Sequence, residues 1–132
     1  MTATEIVDGV WVGDLTAAHF WQGPKLCVRE QVAPEYSFNS LHDKRVSFSY
    51  GKVSRLMLDE TAIWIDEQLV EGRLVLIHCS GGLHRSPLVV VWWLHTRKNM
   101  TIEEAYALVQ SLRPEVERRD HWLKGIKVNN GE

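Results

Sequence analysis

The chain has 132 residues, 45% of them apolar and 24% charged, with a formal net charge of −2. That length suits one domain with its own core and leaves little room for a second. The near-neutral balance excludes a global electrostatic pull toward nucleic acid or membrane surfaces, so an anionic ligand has to be drawn by local charge.

The first twenty residues lack a basic start followed by an apolar run, and the apolar stretch 88–94 is too short to span a bilayer. Cys27 and Cys79 read as free thiols in a reducing, cytoplasmic setting rather than as a disulfide. No metal-ligand spacing and no internal repeat is present, so neither metal nor cofactor is expected.

In chain order, residues 6–13 read as two short extended pieces around the Asp8-Gly9 turn. Residues 14–22 suit a short helix, stopped by Gly23-Pro24. Residues 25–29 form an apolar strand that places Cys27 in the core. Residues 30–44 are polar and irregular, and 45–49 alternate as a further strand closed by Tyr50-Gly51. Ser54 is an N-cap for a helix to Val70, with Leu58, Ala62, Ile65 and Leu69 on one face and Glu71-Gly72 as its stop. The continuous apolar run 74–77 suits a strand covered on both faces, as in a parallel sheet.

A glycine-containing loop follows, then a helix that starts at Ser86-Pro87 and reaches about Lys98. Of Trp92 and Trp93 on it, one ring is expected in the core and the other at a surface. Thr101 and Glu104 form a capping box for a helix that buries Ala105, Leu108, Val109 and Leu112 and ends at Pro114. A last helix over 117–127 places Trp122 and Ile126 inside and leaves Arg118, Arg119 and Lys124 on a solvated face, with holding an anionic substrate as their second reading. Strands alternating with helices predict a single three-layer α/β domain over residues 1–132. Its central sheet has four or five mainly parallel strands, with helices on both faces.

The chemistry concentrates in His78-Cys79-Ser80-Gly81-Gly82-Leu83-His84-Arg85-Ser86, which sits between an apolar strand and a helix. A short loop entering a helix N-terminus offers inward N–H groups to a phosphate, and Gly81 and Gly82 let the backbone curl. The same amides favour a thiolate on Cys79. Arg85 supplies a planar two-pronged donor for phosphoryl oxygens. Such a thiolate attacks phosphorus to form a thiophosphate that water then hydrolyses.

This segment resembles the His-Cys-x5-Arg-Ser/Thr signature of the protein tyrosine phosphatase superfamily, and the chain length resembles its small dual-specificity branch. Residues 8–13 resemble the family's opening segment, and 102–114, with the closing Arg113-Pro114, resemble the helix after the signature. The resemblance implies the cysteine phosphatase fold. It makes Cys79 the nucleophile, Arg85 the phosphate clamp, Ser86 a donor to the sulfur and His78 a buried residue orienting the loop. Ser80, Gly81, Gly82, Leu83, His84 and Arg85 would line the phosphate cup. No cofactor is implied. The substrates implied are phosphotyrosine proteins first, then phosphoserine and phosphothreonine proteins or other phosphomonoesters, with 5′-phosphorylated RNA still open.

One part of the pattern is missing. The family's general acid is an aspartate on a loop before the signature, and the matching stretch 50–53 contains no Asp or Glu. Asp43 and Asp59 are the nearest carboxylates, and Asp43 is the better candidate because it lies in a loop rather than a helix. The gap motivates an alternative, a phosphate-binding pseudo-phosphatase or weakly active module. Retention of Cys79 and Arg85 speaks against it, since binding alone does not need the thiol. His84 is read as facing solvent, with proton donation as its second reading.

Overall fold

The Asp8-Gly9 turn folds Ala3–Val7 (β1) back on Val10–Gly13 (β2) as an antiparallel pair. The computed structural model describes residues 2–29, 42–49 and 51–126. After β2 come the helix Leu15–Phe20 (α1), the strands Lys25–Cys27 (β3) and Lys44–Arg45 (β4), and the helix Arg55–Val70 (α2). The strand Val75–His78 (β5) follows, then the helices Arg85–Arg97 (α3) and Ile102–Leu112 (α4), and a 3-10 turn at Asp120–Leu123. The five strands lie in the order β1-β2-β5-β3-β4, and every neighbour pair except β1–β2 is parallel.

Strand alternation decides what each face meets. Val10, Val12, Leu26, Val75 and Ile77 point into the large core built with α2, α3 and α4. Leu76 and Trp11 point the other way, onto Ala17 and Ala18 of α1. Lys25 shares that second face, where its Nζ donates to the Ala18 carbonyl at 2.9 Å. Helices therefore cover both faces, and β5, at the centre of the sheet, is buried throughout.

Local chemistry explains most helix ends. Asp14 caps α1 by accepting from the Ala17 N–H at 2.8 Å, and Ser54 caps α2 by accepting from Met57. Thr101 and Glu104 complete the capping box of α4. Three expectations are corrected. The alternation over 45–49 is real in burial, since Val46 and Phe48 are buried and Ser47 is exposed, but β4 is only Lys44–Arg45 because its partner β3 ends at Cys27. The helix expected over 117–127 is a single 3-10 turn in its described part, followed by Gly125 at φ +85°. Both Trp92 and Trp93 are buried, because α3 lies between α2 and α4 and each indole N–H has an acceptor on α2. Trp92 donates to Asp59 at 2.9 Å and Trp93 to Asp66 at 2.8 Å. Among the described residues, no helix is long and apolar enough to cross a membrane.

Candidate active site

β5 carries His78 to the carboxyl edge of the sheet, where residues 79–84 curl before α3 begins at Arg85. The loop is held from outside. The Ser80 carbonyl accepts from the Leu15 N–H at 2.9 Å, and the Leu83 carbonyl from the Glu117 N–H at 3.1 Å. The Gly82 carbonyl accepts from Arg113 Nε at 2.9 Å, and the Gly81 carbonyl from Arg113 Nη2 at 3.3 Å. With four consecutive carbonyls engaged outward, the N–H groups of Gly82, His84 and Ser86 donate inward to the Cys79 sulfur. Converging amides of this kind form an anion cradle.

Cys79 is 3% exposed, and its Sγ lies 3.3 Å from Ser86 Oγ. Burial pushes the thiol up, but hydrogen bonds from the Ser86 hydroxyl and from the Ser86, Gly82 and His84 amides outweigh it and hold the group below its ordinary value. His78 is fully buried, with Nδ1 3.3 Å from the Cys79 carbonyl. Burial pushes its imidazole down to about 4, so it is neutral at pH 7.

Of the two glycines expected to be needed for the curl, only one is. Gly82 has φ +70°, and a Cβ there would fall 2.6 Å from Arg113 Nη2 and 2.8 Å from the Gly13 carbonyl. A Cβ on Gly81 would meet only Leu83, at 3.6 Å.

Two guanidiniums flank the loop. Arg85 Nη1 donates to the Phe48 carbonyl at 3.2 Å, which sets the side chain against the strand-like segment after β4. Arg29, just beyond β3, donates from Nε to Ser80 Oγ at 3.1 Å, and its Nη1 is buried without a hydrogen-bond partner. Arg113 carries the heaviest structural duty. It is 1% exposed and also donates to Thr4 Oγ1 and Thr2 Oγ1, both at 2.9 Å.

The candidate acids lie elsewhere. Asp43 accepts from the Lys25 N–H at 3.1 Å, at the amino end of β3. Lys25 is level with Leu76, three residues before Cys79, so Asp43, just before β4, sits roughly 10 Å down the strands. The structure does not bring it to the cup. Asp59 is engaged by Trp92 and by Arg55 on the α2 surface. The turn after Phe48, where Ser49 pairs with Lys52, presents no carboxylate among its described residues, and Tyr50 lies outside them.

His84 does not simply face solvent. Its Nε2 is 2.9 Å from Glu117 Oε1 and 3.0 Å from Arg119 Nη2, and those two atoms are 2.7 Å apart. Arg118 is likewise paired, with Glu103 and Asp120, and of the basic cluster read as solvated only Lys124 is exposed, Arg118 and Arg119 being half-buried. Hydrogen bonds from His84 and Arg119 hold the Glu117 carboxyl below its usual range. Cys27 shares the α1 face with Lys25, whereas Cys79 joins the opposite core, and both are free thiols. Sequence reasoning missed Arg29 and Glu117 and saw Arg113 only through the resemblance. A buried arginine that braces carbonyls leaves no periodic signal.

A sheet whose carboxyl edge presents a Cys-x5-Arg loop running into a helix N-terminus defines a cysteine-based phosphate site. The family model described as "Dual specificity phosphatase, catalytic domain" matches residues 30–129, and the chain belongs to that family. Dual specificity protein phosphatase 12 of Rattus norvegicus is 35% identical over 71 residues, which are 54% of this chain and 21% of that protein. The chain thus spans about a fifth of the length of the first curated relatives it matches. Among solved structures, the human tyrosine phosphatase-like serine/threonine/tyrosine-interacting protein superposes with a TM-score of 0.80 at 20% identity. That match covers 92% of this chain and 91% of the other and speaks to the fold. Tk-PTP in its active form has a TM-score of 0.74 at 26% identity, with 92% and 91% covered.

Proposed function

We propose that residues 1–132 act as one catalytic domain that hydrolyses phosphomonoesters through a cysteinyl-phosphate on Cys79. Phosphotyrosine proteins are its first substrate class and phosphoserine or phosphothreonine proteins the second. The observation that carries the reading is the environment of Cys79: three inward amides and the Ser86 hydroxyl converge on a sulfur held below its ordinary pKa. The thiolate attacks phosphorus, the S–P bond forms as the P–O ester bond breaks, and the leaving oxygen takes a proton. Water then attacks the thiophosphate, releasing inorganic phosphate and the thiolate, to which Ser86 donates. Arg85 and the loop amides hold the equatorial oxygens through both steps, where preorganised donors lower the barrier most. Two unpaired buried thiols favour a reducing compartment such as the cytoplasm.

The test is hydrolysis of a small aryl phosphate over about pH 5–8, with acid-quenched enzyme examined by mass spectrometry for phosphocysteine. Turnover with phosphate trapped on Cys79, abolished in Cys79→Ser, is the expected result. Binding of vanadate without any turnover would replace the hydrolase by a phosphate-binding module.

A further inference from the structure

A helix packed on a sheet needs one apolar stripe, and α2 has two. The inner one, with Leu58, Ala62, Ile65 and Leu69, packs into the core. On the opposite side Leu56, Ile63 and Val70 are 80%, 50% and 82% exposed. They stand seven residues apart, so at 3.6 residues per turn they fall within about 40° of one another. Glu60 and Glu67 lie between them on the same line and are also exposed. The five residues follow at spacings of four, three, four and three, which is the seam of a coiled coil. Apolar residues hold its d positions and glutamates its a positions.

A single exposed leucine is ordinary, but three apolar side chains on one line make a continuous strip. Two hollows border it. One of about 210 Å³ is lined by Lys44, Glu60, Ile63, Trp64 and Glu67, and one of about 530 Å³ has Glu67, Val70 and Glu71 in its wall. The face is acidic. Asp59 and Asp66 are spent on Arg55, Arg97 and the α3 indoles, and Glu60 is held by Lys44 at 3.0 Å. Glu67 is in no ion pair among the described residues.

The pattern selects its occupant. A second copy of α2 fits badly in either direction. Parallel, Glu60 and Glu67 would face their own copies; antiparallel, each would face an apolar residue and bury a carboxylate without a counter-charge. A helix that alternates apolar residues with Lys or Arg satisfies both rows.

We infer that the outward face of α2 docks a basic amphipathic helix of a partner protein. Its apolar residues cover Leu56, Ile63 and Val70, and its cations meet Glu67 and Glu60, displacing Lys44 from the latter. From Leu56 to Val70 the strip runs only about 21 Å, so the contact is small, transient and of micromolar affinity. Its ion pairs weaken with salt. None of the five residues belongs to the phosphate site, so this surface stands apart from the phosphatase reading.

The experiment titrates the full chain with a synthetic helical peptide of about three heptads, Leu at d and Lys at a. Calorimetry gives affinity, and backbone amide shifts map the contact. Controls are a shuffled peptide of the same composition and one with Glu at the a positions. Binding that shifts α2 amides, with at least about a tenfold preference over both controls, is expected. Ile63→Asn should weaken it at least about tenfold. Glu67→Lys should move the preference toward the Glu peptide, a reversal that loss of folding cannot mimic. Thermal unfolding should leave both variants near wild type, as exposed positions do. Equal binding of the shuffled peptide would reduce the effect to net charge and overturn the inference, as would no binding or shifts outside α2. A dimer seen by sedimentation in wild type and lost in Ile63→Asn would give the face to a second copy and overturn it as well.

Discussion

At the scale of single residues, Gly81 and Gly82 look interchangeable in the sequence yet meet different surroundings. Gly82 combines φ +70° with a backbone wall, the Gly13 carbonyl, that cannot move aside as a flexible side chain would. Gly82→Ala is therefore expected to destabilise the protein by at least about 2 kcal/mol, from left-handed strain and overpacking together. Gly81→Ala should stay within about 0.5 kcal/mol of wild type, as surface substitutions do. Urea unfolding of the two variants checks this, and equal losses would contradict the geometry. The signature was legible at this scale because a Cys, an Arg and a Ser at fixed spacing serve one anion within a few residues of chain. Asp43 looked available only as long as the direction of the strand that follows it was unknown, and in the fold it accepts from the Lys25 amide.

At the scale of elements, the parts legible in the sequence were those whose signals are local. The capping box at Thr101, the cap at Ser54 and the apolar run into β5 each depend on neighbours within a turn or on burial on both faces. The strand over 45–49 failed because its length depends on a distant partner, the point where β3 stops, and the helix over 117–127 gave way to one 3-10 turn followed by Gly125 at φ +85°. Arg113 shows the same limit. It ends α4, but its duty is to join β1, through Thr2 and Thr4, to the loop carbonyls of Gly81 and Gly82. Arg113→Met keeps much of the volume and removes every donor, leaving the buried Gly82 carbonyl and three part-buried contacts unmade. It is expected to cost about 3–5 kcal/mol, and Arg113→Lys, which can reach fewer of them, somewhat less. Denaturant unfolding measures the first claim. A weaker affinity for vanadate in Arg113→Lys, at a temperature where it is still folded, would show that the brace sets the loop as well as the stability.

At the scale of the whole molecule, the sheet order places β5 at the centre and so buries His78 where no solvent can charge it. Burial lowers its pKa from 6.5 to about 4. Between those values the unfolded chain binds more protons than the folded one, so stability rises with pH through that window. The full contribution is present above about 6.5 and is lost as pH falls toward 4. A shift of that size corresponds to roughly 3 kcal/mol. Asp14 acts in the same direction, but lower. Burial raises its carboxyl, the Ala17 and Thr2 hydrogen bonds outweigh that, and the group ends below 3.8, so it stays charged across the His78 window. Urea unfolding at about pH 7 and about pH 4.5 should therefore differ by about 2–3 kcal/mol in wild type. His78→Asn, which keeps a donor near the Cys79 carbonyl but does not titrate, should lose most of that difference whatever its absolute stability. A pH dependence unchanged in His78→Asn would mean that other groups carry the acid sensitivity, and that the histidine beneath the loop is not held neutral by the sheet around it.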